Sequence, residues 1–480
     1  MRRPCSSRGP AARGATLLRV ISGLLRRGCR GSVQIAAGAA LVASAAQAGP
    51  FVLPTSGCPM AHCDARMSDL VGAVGPTVAE TVAIDRKSAG AVGGLGCVSN
   101  TRLVACTGGS DPAQKSNLTV YDADGNRLWD DGGLLGDTAW FGAAMISADD
   151  HIIAADQHTV LRASMRSGKI VWQSAKPDIG SPISPVLVGN DGSMILLATK
   201  SDAGQGSPEL SVWDVATGAL LWHQPITDPA TGALYQTINT PAVKGNRAYV
   251  VAAGVGNPGD GRLVAIDICE SAACGGRGRP QVAWVHPFEG PSSASPLVIG
   301  DRIFFDGLRG KNGGLFYGVD DLGGAPAQAW VRKFKGRFGF SAAQDPRGGL
   351  WVSPWKSGTF LRLRELNGGT VQTIVFADLF GLDPTYSPVT AVSVSQTAGG
   401  AVVLTTGIQT KSKSIGIGPQ VVAIDVSSQP GGTALWRYEV TGNGGRNAAT
   451  GQYPIVTNAA GARRIVFRGT ISSTFFVGEP

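Results

Sequence analysis

The stretch SVWDVATGALLW, residues 211–222, decides the fold of this chain. It consists of a strand that ends near Asp214, a tight turn at Thr217 and Gly218, and a second strand that closes on Trp222. Alternating apolar residues favour half-buried antiparallel strands, and glycine supplies the positive φ that a tight hairpin needs. The stretch therefore predicts a β-hairpin with a tryptophan at a fixed place behind its turn.

The same pattern recurs along the chain. In four copies the tryptophan stands four residues after a glycine, and further, longer copies also close on a tryptophan. The residues in this position are Trp129, Trp172, Trp222, Trp284, Trp330 and Trp436. In the sixth copy, Gln372 or Thr373 takes the place of the tryptophan. Because a tryptophan buries a large area, one at a constant place in each repeat can wedge between neighbouring sheets, so we predict a structural role for all six.

Ahead of the hairpin, each copy also carries a short apolar strand, a polar turn and a second apolar strand. The second strands are 102–109, 151–158, 193–201, 247–256, 301–310, 349–358, 400–409 and 463–472. Their mean period of about 52 residues is near that of propeller blades once loop insertions are allowed. The sequence predicts an all-β, eight-bladed β-propeller of four-stranded antiparallel blades, with seven blades as the alternative.

The last copy stops after three strands, 453–457, 464–469 and 473–478. The strand at 80–86 has no place in the first copy and can fill the missing fourth position. Such pairing ties the two ends of the chain together and leaves no open sheet edge. We therefore predict that N- and C-terminal strands close the propeller.

The charge of the chain is concentrated at its N-terminus. There are 42 Lys and Arg residues against 34 Asp and Glu, but residues 1–48 hold eight arginines and no acid. Without them the charges balance, which gives no reason to expect nucleic-acid binding. Arginines, a run of small apolar residues and Ala46-Gln47-Ala48 are typical of a cleaved signal peptide. We predict a signal peptide at 1–48, an N-terminal extension at 49–76, a propeller at 77–480, and a periplasmic or secreted protein without a stable membrane anchor.

Six cysteines follow the predicted signal peptide, an even number that favours disulfides in an exported protein. Cys58 lies close to Cys63 in sequence, and Cys269 lies close to Cys274. Cys97 and Cys106 then form the third pair, or they cross to the first pair. The connectivity stays open at this point.

The segment CPMAHC, residues 58–63, also has the composition of a metal site. Cys58, Met60, His62 and Cys63 provide the soft ligands that copper(I) prefers. The favoured prediction is a small disulfide loop that pins the N-terminal extension to the propeller. A copper site is the alternative.

The stretch around Asp214, Thr217, Gly218 and Trp222 resembles the tryptophan-docking repeat of the pyrroloquinoline-quinone (PQQ) alcohol dehydrogenase-like propellers. The resemblance implies an eight-bladed propeller in an exported bacterial protein. In the dehydrogenases of this group it also implies PQQ, a calcium or lanthanide ion, and a disulfide between adjacent cysteines. No two cysteines are adjacent here, and the catalytic and cofactor-binding residues have no clear counterparts.

These observations favour a ligand- or protein-binding scaffold in the bacterial envelope. Its partner would be an envelope protein or a small ligand bound at the propeller rim or in its funnel. The alternative is a PQQ- and metal-dependent quinoprotein dehydrogenase that acts on an alcohol or a sugar. A shared fold does not decide between them, because function resides in the site.

Overall fold

The chain is built almost entirely of β-strands, because its short apolar runs are separated by turns rich in glycine, aspartate and asparagine. In the computed structural model, the apolar run Met194–Lys200 is a strand in which only the last residue has more than slight exposure. Outer strands such as Ile170–Ala175 instead alternate between buried and exposed residues. A strand buried on both faces lies between neighbouring layers, whereas an alternating strand has one face in water.

The structure describes residues 51–480 except 87–95, 109–116, 137–141, 178–179, 190, 201–207, 230, 238, 256, 269–279, 293, 310–312, 337, 339, 355–356, 385, 411–418, 441–448 and 470–472. The predicted signal peptide and the predicted pair Cys269 and Cys274 lie outside the described residues. Residues 47–480 form one compact unit. Among the described residues, no helix has the length and apolarity needed to cross a membrane.

The strands in chain order begin with Leu70–Val74 (β1), Glu80–Asp85 (β2), Cys97–Ser99 (β3), Leu103–Thr107 (β4), Leu118–Asp122 (β5), Arg127–Asp130 (β6), Met145–Ile146 (β7), His151–Ala155 (β8), Thr159–Ser164 (β9), Ile170–Ala175 (β10), Ser181–Pro182 (β11), Val186–Val188 (β12), Met194–Lys200 (β13), Glu209–Asp214 (β14), Leu220–Thr227 (β15), Leu234–Gln236 (β16), Ala242–Lys244 (β17), Arg247–Gly254 (β18), Asn257–Asp267 (β19) and Gln281–Glu289 (β20). They continue with Leu297–Ile299 (β21), Arg302–Arg309 (β22), Gly313–Asp321 (β23), Pro326–Lys335 (β24), Ala343–Gln344 (β25), Leu350–Val352 (β26), Thr359–Leu363 (β27), Thr370–Val375 (β28), Ser387–Pro388 (β29), Ser393–Gln396 (β30), Val402–Gln409 (β31), Gln420–Asp425 (β32), Thr433–Glu439 (β33), Ala449–Thr450 (β34), Ile455–Thr457 (β35), Arg463–Gly469 (β36) and Ser473–Gly478 (β37). A short helix, Phe376–Phe380 (α1), follows β28.

Sequential antiparallel strands make up most of the sheets. Four sheets have four strands each, β3–β6, β7–β10, β21–β24 and β25–β28. A ten-stranded sheet contains two successive groups of four, β12–β15 and β17–β20, which are joined through β16. The strands β29–β33 and β1 form a six-stranded sheet, and β34–β37 and β2 form a five-stranded sheet.

A strand lies within each of the eight segments that the sequence marks as second strands: β4, β8, β13, β18, β22, β26, β31 and β36. The N-terminal strand β2 pairs antiparallel with the last strand, β37, from Glu80 opposite Gly478 to Asp85 opposite Thr474. Strand β1, which lies in the predicted N-terminal extension, pairs in parallel with β30. The N-terminal segment therefore contributes to two different sheets.

Candidate functional site

Several tryptophans on fourth strands bond to the next group of strands along the chain. The Trp172 indole Nε1 donates to the carbonyl of Val215 at 2.8 Å, and that of Trp330 donates to the carbonyl of Glu365 at 2.8 Å. Trp129 bonds the carbonyl of Met165 in the same way. Each acceptor lies in the turn between the third and fourth strands of the next group. A buried indole thus satisfies its N–H while its ring fills the space between sheets.

The glycine of the repeat turn makes room for this indole. Gly218 has a φ of +72°, and a Cβ added there would lie 2.5 Å from the Trp172 ring. Gly168 has a φ of +69° and faces Trp129 in the same way, at 3.1 Å. The constant spacing of glycine and tryptophan therefore has two causes, the left-handed turn and the ring of the preceding sheet.

Different side chains take the place of tryptophan at other junctions. The Gln372 amide Nε2 donates to the carbonyl of Val426 at 3.1 Å, which resolves the choice between Gln372 and Thr373. Between the last and first groups, Arg464, which lies on β36 and not on a fourth strand, donates from Nη1 to the carbonyl of Ala123 at 2.9 Å. A donor to the next turn is thus retained where the indole is absent.

A segment without repeat character lies among the first strands. We call residues 58–69 the central segment. Its backbone accepts hydrogen bonds from five first-strand amides and pairs with a sixth first strand. The bonds run from Ile146 to Pro59 at 2.7 Å, Val243 to Ala65 at 2.6 Å, Val298 to Arg66 at 3.0 Å, Gln344 to Ser68 at 2.8 Å, Val394 to Asp69 at 2.8 Å, and from Cys58 to Ser99 at 3.0 Å. The first strands of six groups therefore surround one short piece of the chain.

Two disulfides fix this region. Cys58 bonds to Cys63 within the central segment, and Cys97 bonds to Cys106 across β3 and β4, where the two residues are register partners. The second bond selects between the pairings that the sequence leaves open. Because the Cys58 and Cys63 sulfurs are joined, neither offers a thiolate in this oxidised form. The copper alternative, which also invokes Met60, stays a prediction for the reduced protein.

Backbone strain is concentrated in the central segment. Among the described residues, six non-glycine residues have a positive φ, and four of these belong to the segment. They are His62 at 57°, Cys63 at 70°, Met67 at 60° and Asp69 at 55°. Such conformations persist only where the surroundings enforce them, and they cluster at functional sites.

A polar cluster lies at the middle of the central segment. His62 Nδ1 lies 3.0 Å from Asp69 Oδ2, and His62 Nε2 lies 3.4 Å from the Ser341 hydroxyl. The His62 backbone N–H donates to Gln452 Oε1 at 2.7 Å. Burial raises the pKa of the Asp69 carboxyl, while the imidazole of His62 acts in the opposite direction. The arrangement is an Asp–His–Ser chain with the histidine in the centre.

The sequence marks His62 only as a candidate ligand in the copper alternative, and it does not mark Asp69 or Ser341. Ser341 stands three residues before Gln344, whose amide bonds the central segment. Equivalent hydroxyls are those of Ser184, Thr240 and Ser295, each of which precedes a proline just ahead of a first strand. That recurring Ser/Thr-Pro pair marks the equivalent positions in three other repeats, but Ser341 is followed by Ala342 and lacks the proline. Of these, the Thr240 Oγ1 is buried without a hydrogen-bond partner, as is the adjacent Asn239 Nδ2.

The residues of the central segment and the first strands around it do not fit a binding site for PQQ with a metal ion. In the part of the chain that the structure describes, no three His, Cys, Asp or Glu side chains come together to hold a metal ion. The central segment, with Met60 and Ala61 fully buried, occupies the space between the first strands. We derive no reaction step through PQQ or a metal.

Known proteins agree with this architecture. The sequence profile of the family described as outer membrane protein assembly factor BamB matches residues 156–273. A europium-containing methanol dehydrogenase aligns with a TM-score of 0.57 at 9% identity, over 88% of this chain and 98% of that chain. The quinohemoprotein alcohol dehydrogenase ADHIIG from Pseudomonas putida HK5 aligns with a TM-score of 0.58 at 9% identity, over 89% of this chain and 80% of that chain. Sqt1 from Saccharomyces cerevisiae aligns with a TM-score of 0.55 at 10% identity, over 85% of this chain and 100% of that chain.

At these identities the likeness to solved structures concerns the fold alone. No curated protein matches the chain in sequence. The profile match covers β9–β19, the part of the chain that includes the tryptophan-docking repeat at residues 211–222. The sequence repeats and the comparisons agree on a β-propeller fold, and residues 156–273 are similar to the family of PQQ-like repeats.

Proposed function

We propose that the protein is an exported binding scaffold of the bacterial envelope that recognises a protein partner through its rim. The observation that carries the proposal is the central segment, which fills the space among the first strands with the protein's own chain. A partner is therefore recognised on the outer turns and strands. For this proposal we assign the eight predicted blades to β3–β6, β7–β10, β12–β15, β17–β20, β21–β24, β25–β28, β30–β33, and β35–β37 with β2.

Contacts between the last and first of these groups support a closed ring. The Tyr121 hydroxyl donates to Asp85 Oδ2 at 2.9 Å, and the Tyr121 ring packs edge-on against Phe476 at 5.4 Å between centroids. Arg127 Nη2 also binds Asp85 at 2.6 Å. Radial repetition of blades leaves only short, protected sheet edges, which suits a scaffold that must resist aggregation.

Two exposed leucines on neighbouring turns favour one part of the rim. Leu322 is 69% exposed and Leu366 is 75% exposed, the highest values among the large apolar side chains of the described residues. Each follows the residue that accepts a hydrogen bond from a docked tryptophan, Asp321 or Glu365. The same position in other repeats holds Ala216 or Arg166.

Arg302 holds these two turns together. Its guanidinium binds Asp320 Oδ1 at 2.5 Å and donates to the carbonyls of Glu365 and Leu366 at 2.7 and 3.1 Å. The leucines are therefore presented on a fixed base. Exposed apolar residues held close together mark protein interaction sites more often than scattered ones do.

Affinity capture from envelope extract tests the proposal. We expect the purified mature chain to retain a specific envelope protein, and the double variant Leu322→Ser and Leu366→Ser to lose it. The matched control is Leu134→Ser, at a residue that is 43% exposed and lies in another loop. Capture of nothing above background, or equal capture by the double variant and the control, contradicts rim recognition through these turns.

Export is tested separately, by fractionation of cells that express the full chain. The proposal requires a periplasmic or secreted mature protein that begins after residue 48. Retention of the intact chain in the cytoplasm contradicts export. The dehydrogenase alternative predicts alcohol- or sugar-dependent dye reduction after addition of PQQ and Ca²⁺, and absence of that activity eliminates it.

A further inference from the structure

We propose that Ser341, His62 and Asp69 form a catalytic triad that hydrolyses small acyl esters. The three residues come from two distant parts of the chain, the central segment and the residues just before β25. Their distances are 3.4 Å from Ser341 Oγ to His62 Nε2 and 3.0 Å from His62 Nδ1 to Asp69 Oδ2. The inference does not depend on scaffold function, since a rim partner and this cluster involve different residues.

The hydrogen-bond directions suit a nucleophilic serine. The backbone N–H of Ser295 donates to Ser341 Oγ at 2.9 Å, which leaves the Ser341 hydroxyl proton free to point at His62 Nε2. With Asp69 as acceptor, the neutral imidazole carries its proton on Nδ1 and presents a lone pair on Nε2. This is the tautomer a general base needs in a Ser–His–Asp arrangement.

The exposure of the three side chains increases from the orienting carboxylate through the general base to the nucleophile. Asp69 is fully buried, His62 is 3% exposed and Ser341 is 7% exposed. A carboxylate that orients the imidazole is shielded from water, and the serine is the most accessible of the three. The Ser341 hydroxyl to His62 distance is longer than in a strong hydrogen bond, as is common before substrate binds.

The backbone conformation holds His62 and Asp69 in place relative to each other. Both His62 and Asp69 have a left-handed conformation, with φ of 57° and 55°. The Asp69 backbone N–H donates to the carbonyl of His62 at 2.8 Å, and the Cys58–Cys63 disulfide closes the loop that carries His62. Strain of this kind at both members of the pair is what a functional constraint predicts.

The proposed reaction needs only ester and water. Ser341 Oγ attacks the acyl carbonyl carbon while its proton passes to His62 Nε2, and the alcohol leaves with that proton. Water then attacks the acyl-serine, gives one proton to His62 Nε2, and releases the carboxylic acid as the proton returns to Ser341 Oγ. Asp69 acts as a positioning residue that stabilises the imidazolium.

The repeat provides a matched control for the serine. Ser184 occupies the equivalent place before β12, and its hydroxyl accepts the backbone N–H of Ala143 at 2.8 Å, as Ser341 accepts that of Ser295. Loss of the Ser184 hydroxyl therefore reproduces the structural effect of losing the Ser341 hydroxyl.

Covalent labelling with diisopropyl fluorophosphate, a small serine-directed probe, tests the proposal on the full mature chain. We expect mass spectrometry to find one phosphoryl group on Ser341. Labelling is lost in Ser341→Ala, kept in Ser184→Ala, and slowed by about 100-fold or more in His62→Gln, because general-base catalysis contributes on that scale. Hydrolysis of p-nitrophenyl acetate follows the same order.

A purely structural role for the cluster gives a different result. If the folded wild-type chain takes up no label at Ser341, or if Ser341→Ala and Ser184→Ala label alike, the triad is contradicted. In Asp69→Asn, we expect both a reduced rate and a changed dependence of labelling on pH. A rate and pH profile equal to those of the wild type overturn the role of Asp69.

Discussion

The junctions between sheets and the central segment are stabilised in opposite ways. At the junctions, a side chain at a repeated position, usually tryptophan, meets a repeated turn, as Trp172 meets Gly218. In the central segment, backbone carbonyls between Pro59 and Asp69 accept hydrogen bonds from first strands of different groups, and no repeat is visible. The periodic region therefore builds the fold, and the aperiodic region is where strain, a disulfide and a polar cluster come together.

The largest expected effect is at a junction. Trp330 is 9% exposed and packs against Phe304 and Phe316, so Trp330→Ala removes a large buried ring. We expect a loss of about 3–5 kcal/mol in the free energy of unfolding, measured by chemical denaturation. A loss below about 1 kcal/mol means that the Trp330 indole does not stabilise the junction between the sheets. Leu128→Ala, at a residue that is 42% exposed, serves as the surface control.

The next largest effect on stability is expected in the central segment alone, without a change at the junctions between sheets. The double variant Cys58→Ser and Cys63→Ser removes the disulfide of the central segment and leaves every junction tryptophan in place. We expect a loss of about 2–4 kcal/mol in the free energy of unfolding, with the near-ultraviolet signal of the tryptophans unchanged. Equal stability of variant and wild type contradicts a stabilising role for this loop.

A smaller effect depends on pH and concerns the link between the chain ends. Burial raises the pKa of the Glu479 carboxyl, but hydrogen bonds from Arg463 and the backbone outweigh this and hold it at about 2. Since the folded pKa lies below the ordinary 4.5, the carboxylate stabilises the fold above about pH 4.5, and this contribution is lost as the pH falls toward 2.

The corresponding variant is Glu479→Gln. We expect it to lower the free energy of unfolding by about 1–2 kcal/mol at neutral pH, and the difference from wild type to shrink below pH 4.5. Denaturation measured across that pH range checks this. A difference that stays constant down to pH 2 contradicts the pairing of Glu479 with Arg463 and Thr77.

The smallest effect is at the junction that lacks tryptophan. Gln372→Ala removes the amide that donates to the carbonyl of Val426 but little buried area. We expect a loss of about 1 kcal/mol, the usual net contribution of one hydrogen bond. A loss as large as that of Trp330→Ala means that the hydrogen bond, rather than the ring, stabilises the junctions.

Much of the fold could be predicted from the sequence, because each repeat meets the same neighbours and so carries the same side chains. The stretch at residues 211–222 predicts the hairpin, and the three strands at the C-terminus predict the pairing of β2 with β37. The central segment could not be predicted in this way. Its contacts use backbone carbonyls such as those of Ala65 and Ser68, which leave no pattern in the sequence.

The candidate site was missed for the same reason. His62 drew attention through its cysteine neighbours, but its contacts with Asp69 and Ser341 depend on a turn of left-handed residues and on a sequence separation of 279 residues to Ser341. L-residues adopt that conformation only under constraint from the rest of the fold. The Ser/Thr-Pro pair that precedes first strands in other repeats is absent at Ser341, which Ala342 follows, so the sequence gives no such signal here.

Hydrogen–deuterium exchange tests the central claim, that the protein's own N-terminal chain occupies the space among the first strands. The amides to follow are those that donate to the central segment, namely Ile146, Val243, Val298, Gln344 and Val394. We predict that peptides carrying them exchange as slowly as the buried strand Met194–Lys200. Exchange at the rate of unprotected amides in the folded wild-type protein would contradict the account.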